Sequence, residues 1–391
     1  MRYVLTICLF LFFQNLFSQN ITLSDKAHIS VITCAPSQDE LYSAFGHSAI
    51  RVYDPELNID HAYNYGVFDF DQPNFYLNFT RGHLLYKLAL QPYPRFREIY
   101  LYYGRWVHEQ VLDLNQNQKQ KVFDYLQWNA RPENQNYLYD YFYNNCATKI
   151  RDVFKEVLDD EIEFDGSFIT TNYTIRELTD IYLKEQPWGD LGIDICLGLP
   201  MDKKASPYEY MFLPDYVESS FERASILNGE KKSAVKDIVV SNPAYNPSTE
   251  NTWPHPWIVF GIVLVLIAAI TVRDFRVKKV SKWLDFTLLF LTGAIGCLLF
   301  ILWVATDHRA AANNFNLLWA VPLNLPFAFL IFKKKNLTLR YFTALTGITL
   351  LTLLLWPVLP QKLNVFLLPV VVGLLVRYFT NYWFSRKATY E

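Results

Sequence analysis

The chain has 391 residues, a formal net charge of −2 and 17% aromatic residues. This length accommodates two domains, or one domain and a membrane region, and the near-neutral charge gives no reason to expect nucleic acid as a partner. The many aromatic residues are typical of a large core or of a chain that touches lipid.

The N-terminal segment, MRYVLTICLFLFFQNLFS, has one arginine followed by a short apolar run. The run is too short for a comfortable membrane span and ends in small and polar residues, which is typical of a cleaved signal peptide. Residues 1–18 are therefore predicted to be a signal peptide, and residues 19–250 an exported domain. Because no cysteine stands at the predicted cleavage point, the chain is not expected to be a lipoprotein itself.

The exported part is predicted to be an α+β domain with a small antiparallel sheet. The segments HISVITCAP, FGHSAIRVYDP and DHAYNYGVFDF resemble strands, whereas NQKQKVFDYLQWNA and ATKIRDVFKEVL have helical spacing. Further helices are expected within residues 174–185 and 206–225.

Of the five cysteines, Cys8 lies in the predicted signal peptide and Cys297 in an apolar run. Cys34, Cys146 and Cys196 remain on the exported side. An odd number leaves at least one free thiol in a compartment where thiols usually pair or react. The sequence leaves open whether Cys34 and Cys196 form a disulfide.

Cys146 begins the helix predicted from ATKIRDVFKEVL, and Asn145 is placed to cap that helix. The positive end of a helix lowers the pKa of a thiol, and the free N–H groups of the first turn can hold an oxyanion. His47 begins an apolar strand and is the candidate general base. Taken singly, each residue is more often a packing residue, so only their combination favours a Cys–His pair.

After residue 250 the chain becomes strongly apolar. Five apolar runs, most of them near the ~20 residues that a helix needs to cross the membrane, predict an all-α, five-helix transmembrane region over residues 251–391. The runs cover residues 257–272, 284–305, 317–332, 341–359 and 363–382, and the first and third are short.

Lysine and arginine are unevenly distributed among the connecting loops. RDFRVKKVSKW carries five, KKKNLTLR four and the tail SRKATYE two, whereas TDHRAAANNFN and PQKLN carry one each. By the positive-inside rule, the basic loops are cytoplasmic. Five spans then place the exported domain outside the cytoplasm, on the side that the signal peptide predicts independently.

Two motifs, FGHSAIRV and the later NNCATKI, resemble the circularly permuted papain-like families, in which the histidine strand precedes the cysteine helix. The segments YNYGVFDF, FTRGHLLYKLAL, WGDLGIDICLGLPMDKKASPYEYMFLPDYV and TDHRAAANNFNLLW resemble the Lnb-type lipoprotein N-acyltransferase family of Bacteroidota. This resemblance covers nearly the whole mature chain. It implies a permuted papain-like (NlpC-like) domain followed by a multispan region in the inner membrane.

The resemblance implies Cys146 as the nucleophile and His47 as the general base. It leaves the orienting group open between His61 on the next strand and the rivals Asn64 and Tyr65. HExxH, CxxC and a glycine-rich phosphate loop are absent from the sequence, so no metal or other cofactor is expected.

A soluble hydrolase needs no multispan anchor, so the membrane region favours lipid as a substrate. Polar side chains crowd the loop after the second apolar run, and exported arginines could pair with a lipid phosphate. Each candidate has a structural alternative, as a loop cap or an ion-pair member. The candidates are Asp307, His308, Asn313, Asn314, Asn316, Arg81, Arg151 and Arg176.

Together these features predict acyl transfer. Cys146 would take a fatty acyl chain from a membrane phospholipid as a thioester. The resemblance implies that the acceptor is the N-terminal amine of a diacylated lipoprotein. Two alternatives stay open, namely a membrane-tethered cysteine peptidase or amidase acting on peptidoglycan, and a non-enzymatic membrane scaffold.

Overall fold

The computed structural model describes residues 21–68, 71–245, 253–330 and 335–390. The predicted signal peptide and the predicted domain boundary at residue 250 lie outside these described residues.

A seven-stranded antiparallel sheet organises the exported half, in the order β10-β5-β1-β2-β3-β4-β6. A smaller sheet has the order β7-β8-β9. The strands are β1 His28–Cys34, β2 His47–Asp54, β3 Ile59–Val67, β4 Leu84–Pro92, β5 Val107–Leu112, β6 Asn136–Tyr139, β7 Ile162–Glu163, β8 Ser225–Asn228, β9 Glu230–Ser233 and β10 Val235–Ser241.

The described residues of this half also form eight helices. They are α1 Phe75–Arg81, α2 Tyr93–Tyr102, α3 Gln116–Asn129, α4 Cys146–Leu158, α5 Ile175–Leu183, α6 Pro187–Cys196, α7 Pro207–Tyr210 and α8 Pro214–Arg223.

The large sheet is the middle layer of the exported half, because side chains of successive strand residues point to opposite faces. On one face, Ile50 and Tyr63 belong to a core that includes Ile150 of α4. On the other face, Ala49 packs in a cluster with Phe96 of α2. Helix α4 therefore lies against β2 and β3, which brings its first residue to the end of β2 where His47 stands.

The start of α4 is determined by local capping. Asn145 accepts a hydrogen bond from the Thr148 N–H at 2.9 Å, and the Thr148 hydroxyl accepts one from the Asn145 N–H at 2.8 Å. This reciprocal pair satisfies two N–H groups at the helix end. The Asn145 amide also donates to the Phe212 carbonyl at 2.8 Å, so the position of the cap is fixed from outside the helix.

Among the described residues of the C-terminal half, four helices are long and apolar enough to cross a membrane. They cover Pro256–Val277, Lys282–Val304, Asn336–Val358 and Val365–Lys387. The helices of this half are α9 Pro256–Val277, α10 Lys282–Val304, α11 Asn324–Leu330, α12 Lys335–Leu355 and α13 Leu368–Tyr390.

The third apolar run differs from the predicted continuous helix. Its first part forms a 3-10 turn at Phe315–Leu318, and α11 accounts for only seven residues before the described segment ends at residue 330. Two glycines of α10 explain how this irregular backbone is accommodated. A Cβ on Gly293 would lie 2.1 Å from the Leu325 nitrogen, and one on Gly296 would lie 2.0 Å from the Ala320 oxygen. The irregular segment is therefore buried against protein, where such backbone is tolerated at membrane depth.

Asn324, at the start of α11, hydrogen-bonds the third apolar run to helices α10 and α12. Its amide donates to the Thr292 hydroxyl at 2.9 Å, near the middle of α10, and accepts from the Tyr341 hydroxyl at 2.6 Å. These bonds satisfy a buried amide that would otherwise be costly among apolar side chains.

The two halves are joined by a junction of paired polar groups. Arg176 of α5 is fully buried and bonds Asp194 at 2.6 Å and Asp202 at 3.0 Å. The Gly198 N–H donates to the Ala310 carbonyl at 2.7 Å, across to the loop that follows α10. A Cβ on Gly198 would lie 1.9 Å from the Ala312 oxygen, so only glycine permits this approach. The exported domain is thereby held at the outer ends of the membrane helices.

Candidate active site

His47 and Cys146 meet where β2 and α4 begin. Gly46 precedes the histidine with a φ of +80°, a conformation that glycine adopts without strain. A Cβ at Gly46 would lie 2.9 Å from the Cys34 oxygen of β1, so the turn into β2 depends on glycine. His47 then pairs with Cys34 in the sheet, and its imidazole hydrogen-bonds the Cys146 side chain.

The second ring nitrogen of His47 is held by Asn64 of β3. The distance between His47 Nε2 and Asn64 Oδ1 is 2.6 Å. With Nε2–H donating to this oxygen, Nδ1 is the nitrogen left for the sulfur. The Asn64 amide contacts Gln91 Oε1 of β4 at 3.4 Å, which supports its orientation. Cys146, His47 and Asn64 thus lie in series, in the arrangement that a nucleophile, a base and an orienting group would require.

Electrostatics favour the ionised form of this pair. Burial by itself would raise the pKa of the Cys146 thiol, but the adjacent His47 charge and hydrogen bond, together with the N–H groups of Ser48 and Ala147, bring that pKa below its ordinary value. Burial by itself would lower the pKa of His47, but the Cys146 thiolate and the hydrogen bonds to Cys146 and Asn64 raise it. The two opposite shifts favour a thiolate–imidazolium pair.

His61, the other candidate for the orienting group, lies in the same strand as Asn64 but three residues earlier. Because side chains alternate along β3, His61 lies on the face that carries Tyr63, opposite to the face that carries Asn64. It pairs with Val52 and Pro92 of the neighbouring strands. The residue that holds the imidazole is therefore Asn64, whose Oδ1 accepts the hydrogen bond from Nε2–H. The third candidate, Tyr65, is buried in the core, and its hydroxyl bonds Asn129 at 2.6 Å.

Aromatic side chains that sequence reasoning did not select enclose the pair. The Tyr100 ring is stacked with the His47 ring at a centroid distance of 6.1 Å. A Cβ on Gly66 would lie 3.4 Å from Cys146 Cβ and 3.7 Å from Tyr139 Cε2, so β3 and β6 approach the nucleophile closely. No short motif carries this signal, since the aromatic residues come from α2 and β6 and only the fold collects them.

Tyr137 offers a polar group close to Cys146. Its hydroxyl would lie 3.9 Å from a Cβ placed on Gly66, which itself faces Cys146. The hydroxyl is buried and has no hydrogen-bond acceptor among the described residues. Burial raises the pKa of this tyrosine, so the group stays protonated and can donate.

The cysteines of the described residues are all free thiols. Cys34, Cys146, Cys196 and Cys297 make no disulfide, which answers the question that the sequence left open for Cys34 and Cys196. Burial raises the pKa of the Cys34 thiol and of the Cys196 thiol. Cys146 is the exported cysteine whose pKa is lowered, as a nucleophile requires.

Asp307 and His308 lie where the loop after α10 meets α1. The Asp307 N–H donates to the Arg81 carbonyl at 2.9 Å, and Asp307 Oδ2 lies 2.6 Å from His83 Nε2. His308 Nε2 lies 3.1 Å from the Phe79 carbonyl. Both loop residues contact the α1 region, and the Arg81 side chain beside them is exposed. The lipid-binding roles predicted for these three residues remain predictions.

The amide groups of Asn314 and Asn316 hydrogen-bond to protein groups, which leaves them few donors or acceptors for a lipid. Both are buried, and their amides donate to carbonyl groups near the end of α6. Asn314 donates to the Ile195 carbonyl at 2.8 Å, and Asn316 accepts from the Trp319 indole N–H at 2.8 Å. The contacts place these two asparagines in the junction between the halves. Asn313 adopts a φ of +53° in the same loop.

Arg151 is also buried by protein contacts. Its guanidinium bonds Asp152 and the Tyr208 carbonyl and lies 3.4 Å from the centroid of the Tyr208 ring. With Arg176 enclosed by Asp194 and Asp202, Arg81 is the most exposed of the three arginines predicted to meet phosphate. For Arg151 and Arg176, the structural alternative accounts for the contacts.

Three carboxylates approach one another near the junction. Oxygen atoms of Asp180, Asp190 and Asp194 lie within 4.8 Å of one another. Lys362 bonds Asp180 at 3.0 Å, and Arg176 bonds Asp194 at 2.6 Å. Cations of the chain itself therefore already balance part of this charge, and the group gives no reason to expect a metal.

Comparison with known families separates the chain into the same two parts. Residues 15–180 match the model of the Lnb N-terminal periplasmic domain, and residues 248–389 match the model of the Lnb transmembrane domain. No match was found among curated proteins or among solved structures.

Proposed function

We propose, from the premise that this chain belongs to the Lnb family of membrane enzymes of lipoprotein maturation, that it is a thiol-dependent acyltransferase. The observation that carries the proposal is the Cys146–His47–Asn64 series, in which a thiol of lowered pKa is held at a helix start. Such a thiol attacks acyl carbonyl groups, and the membrane region supplies acyl donors close by. We propose that the reaction takes place at the periplasmic face of the inner membrane, after removal of the signal peptide.

The first half-reaction moves an acyl chain from a phospholipid to the enzyme. The Cys146 thiolate attacks the ester carbonyl carbon and forms the C–S bond. N–H groups at the start of α4, with the Tyr137 hydroxyl as a further donor, stabilise the oxyanion. The ester C–O bond then breaks, and protonated His47 gives its proton to the departing lysophospholipid oxygen. Cys146 is left as a thioester and His47 as neutral imidazole.

The second half-reaction passes the acyl chain to an amine. The N-terminal amine of a diacylated lipoprotein attacks the thioester carbonyl, and His47 takes the proton that the nitrogen loses. The new C–N bond forms as the C–S bond breaks, which restores the thiolate and the imidazolium. The identity of this acceptor rests on family membership, whereas the thioester chemistry rests on the site itself.

Mass spectrometry of the purified full chain tests the proposal. In detergent micelles that contain long-chain phosphatidylethanolamine, we expect an acyl mass on the peptide that contains Cys146, and neutral hydroxylamine should remove it. A synthetic diacylated lipopeptide with a free amine should discharge the adduct and gain the same mass.

Two controls make the result specific. Cys146→Ala should give no adduct, whereas Cys34→Ala, which removes the buried neighbour thiol, should still give one. An adduct that persists in Cys146→Ala would overturn the proposal. Cleavage of purified muropeptides in the absence of lipid would instead support the peptidase alternative.

A further inference from the structure

Helix α1 lies at the periplasmic surface of the membrane that α10 spans. The membrane helix α10 ends at Val304, and three residues later the Asp307 N–H bonds the Arg81 carbonyl at the end of α1. A Cβ on Gly82 would lie 3.0 Å from the Asp307 carbonyl carbon, so the two backbones are in direct contact. Because α10 spans the bilayer, this contact holds α1 beside the lipid headgroups of the periplasmic leaflet.

Three residues of α1 expose large apolar side chains. Tyr76 is 75% exposed, Leu77 48% and Phe79 41%. Exposed apolar groups on one short helix mark an interaction surface, and tyrosine and phenylalanine are favoured at membrane interfaces. The position of α1 at the end of α10 identifies the partner of this surface as the lipid of the bilayer.

A continuous row of rings leads from α1 towards the nucleophile. We define the aromatic row as Phe79, Phe75, Phe68, Tyr86 and Tyr139. Successive ring centroids in that order are separated by 6.2, 6.4, 5.2 and 4.3 Å. These are contact distances for aromatic rings, so the row is a continuous run of ring contacts.

The inner end of the aromatic row is at the reacting sulfur. Tyr139 of β6 and Cys146 both lie against Gly66, at 3.7 Å and 3.4 Å from the position of its missing Cβ. The outer end, Phe79, is exposed beside the lipid-facing residues of α1. An extended acyl chain that lies along the rings would therefore connect the reacting sulfur with the membrane surface at α1.

We propose that the aromatic row binds the acyl chain of the donor lipid, a long-chain glycerophospholipid from the outer leaflet, and guides its ester carbonyl to Cys146. This inference rests on the proposed acyltransferase function and adds to it the binding site of the donor. Because the ester carbonyl is at the headgroup end of an acyl chain, the glycerol and headgroup lie beside Cys146. The chain runs outward along the rings, with its methyl end towards α1 and the bilayer.

Kinetic selectivity between two acyl donors tests the path. The double variant Leu77→Asp, Phe79→Asp changes exposed residues and should leave the fold intact. It should lower the rate of thioester formation from long-chain phosphatidylethanolamine at least tenfold. It should leave the rate with p-nitrophenyl acetate unchanged, because this short soluble donor needs no chain site. Trp128→Asp, at an exposed aromatic residue of α3 outside the row, should change neither rate.

Photo-crosslinking tests the same path without catalysis. A phospholipid with a diazirine in its acyl chain should label residues 68–86 and 136–141 of the Cys146→Ala variant, and the double variant should lose this labelling. An unchanged phosphatidylethanolamine rate in the double variant, or labelling confined to the transmembrane helices, would overturn the path. Wild-type protein that is labelled in the row but gives no phospholipid-derived thioester would refute the acyltransferase function and leave the lipid site standing.

Discussion

Polar groups near Cys146 and polar groups at the junction with the membrane region differ in how much of their hydrogen-bonding capacity the protein uses. At Cys146 and Tyr137, a thiol of lowered pKa and a hydroxyl without an acceptor among the described residues are ready for a reacting molecule. At the junction, Arg176, Asn314 and Asn316 donate hydrogen bonds to carboxylates and carbonyl groups of the protein itself. A crowd of polar residues is therefore a sign of a reactive site only where some hydrogen-bonding capacity is left over.

Removing the base should have the largest effect on the catalytic end. His47→Ala should lower the rate of thioester formation about 10³- to 10⁴-fold, as loss of one member of such a set does. It should also reverse the thiol shift, because burial then raises the pKa of Cys146 without the opposing charge. Alkylation of Cys146 by iodoacetamide should extend to lower pH in the wild type than in the variant. Equal pH profiles would show that His47 does not ionise the thiol.

Removing the buried ion pairs of Arg176 at the junction should destabilise the protein but leave the reacting residues in place. Arg176→Met leaves Asp194 and Asp202 buried without their partner, at a cost of about 3–5 kcal/mol. We expect easier proteolysis and a lower unfolding temperature of the full chain in detergent. Lys231→Met, which removes an exposed pair with Glu163, is the control and should change neither. A stable Arg176→Met protein with selective loss of lipid turnover would instead restore a phosphate-binding role.

Two single substitutions distinguish Asn64 from His61 as the residue that orients His47. Asn64→Ala should lower the first-step rate about 10- to 100-fold, because the imidazole loses the partner that orients it. His61→Ala should change it less than twofold, since this side chain lies on the other face of β3. The pH profile of the rate should shift in Asn64→Ala alone. A larger effect of His61→Ala would contradict the assignment.

The smallest effect is expected from the acidic group of the junction. Burial, followed by the charges of Asp194 and Asp180, raises the pKa of Asp190 to about 7, above the ordinary value of an unfolded aspartate. The folded state therefore binds this proton more tightly, and stability falls as the pH rises from the ordinary value through 7. Asp190→Asn should raise the unfolding temperature by a few degrees at pH 8 and leave it unchanged near pH 4. A gain of equal size at both pH values would exclude ionisation as the cause.

Much of the architecture was predictable because its signals are local. The apolar runs follow from composition alone, and the four helices long enough to span coincide with four of the five predicted runs. In its described part, the third run is irregular backbone followed by α11, and Gly293 and Gly296 leave room for that backbone on α10, a contact between distant parts of the chain.

The sequence by itself determined the start of α4, with Asn145 as its cap and Cys146 in its first turn, since capping depends on neighbours within three residues. Only the tertiary structure decided that Asn64 holds His47, because strand register sets which side chains share a face. The same holds for the burial of Asn314 and for the aromatic row, whose members come from separate elements. Contacts of this kind depend on how distant segments pack, and no local pattern encodes them.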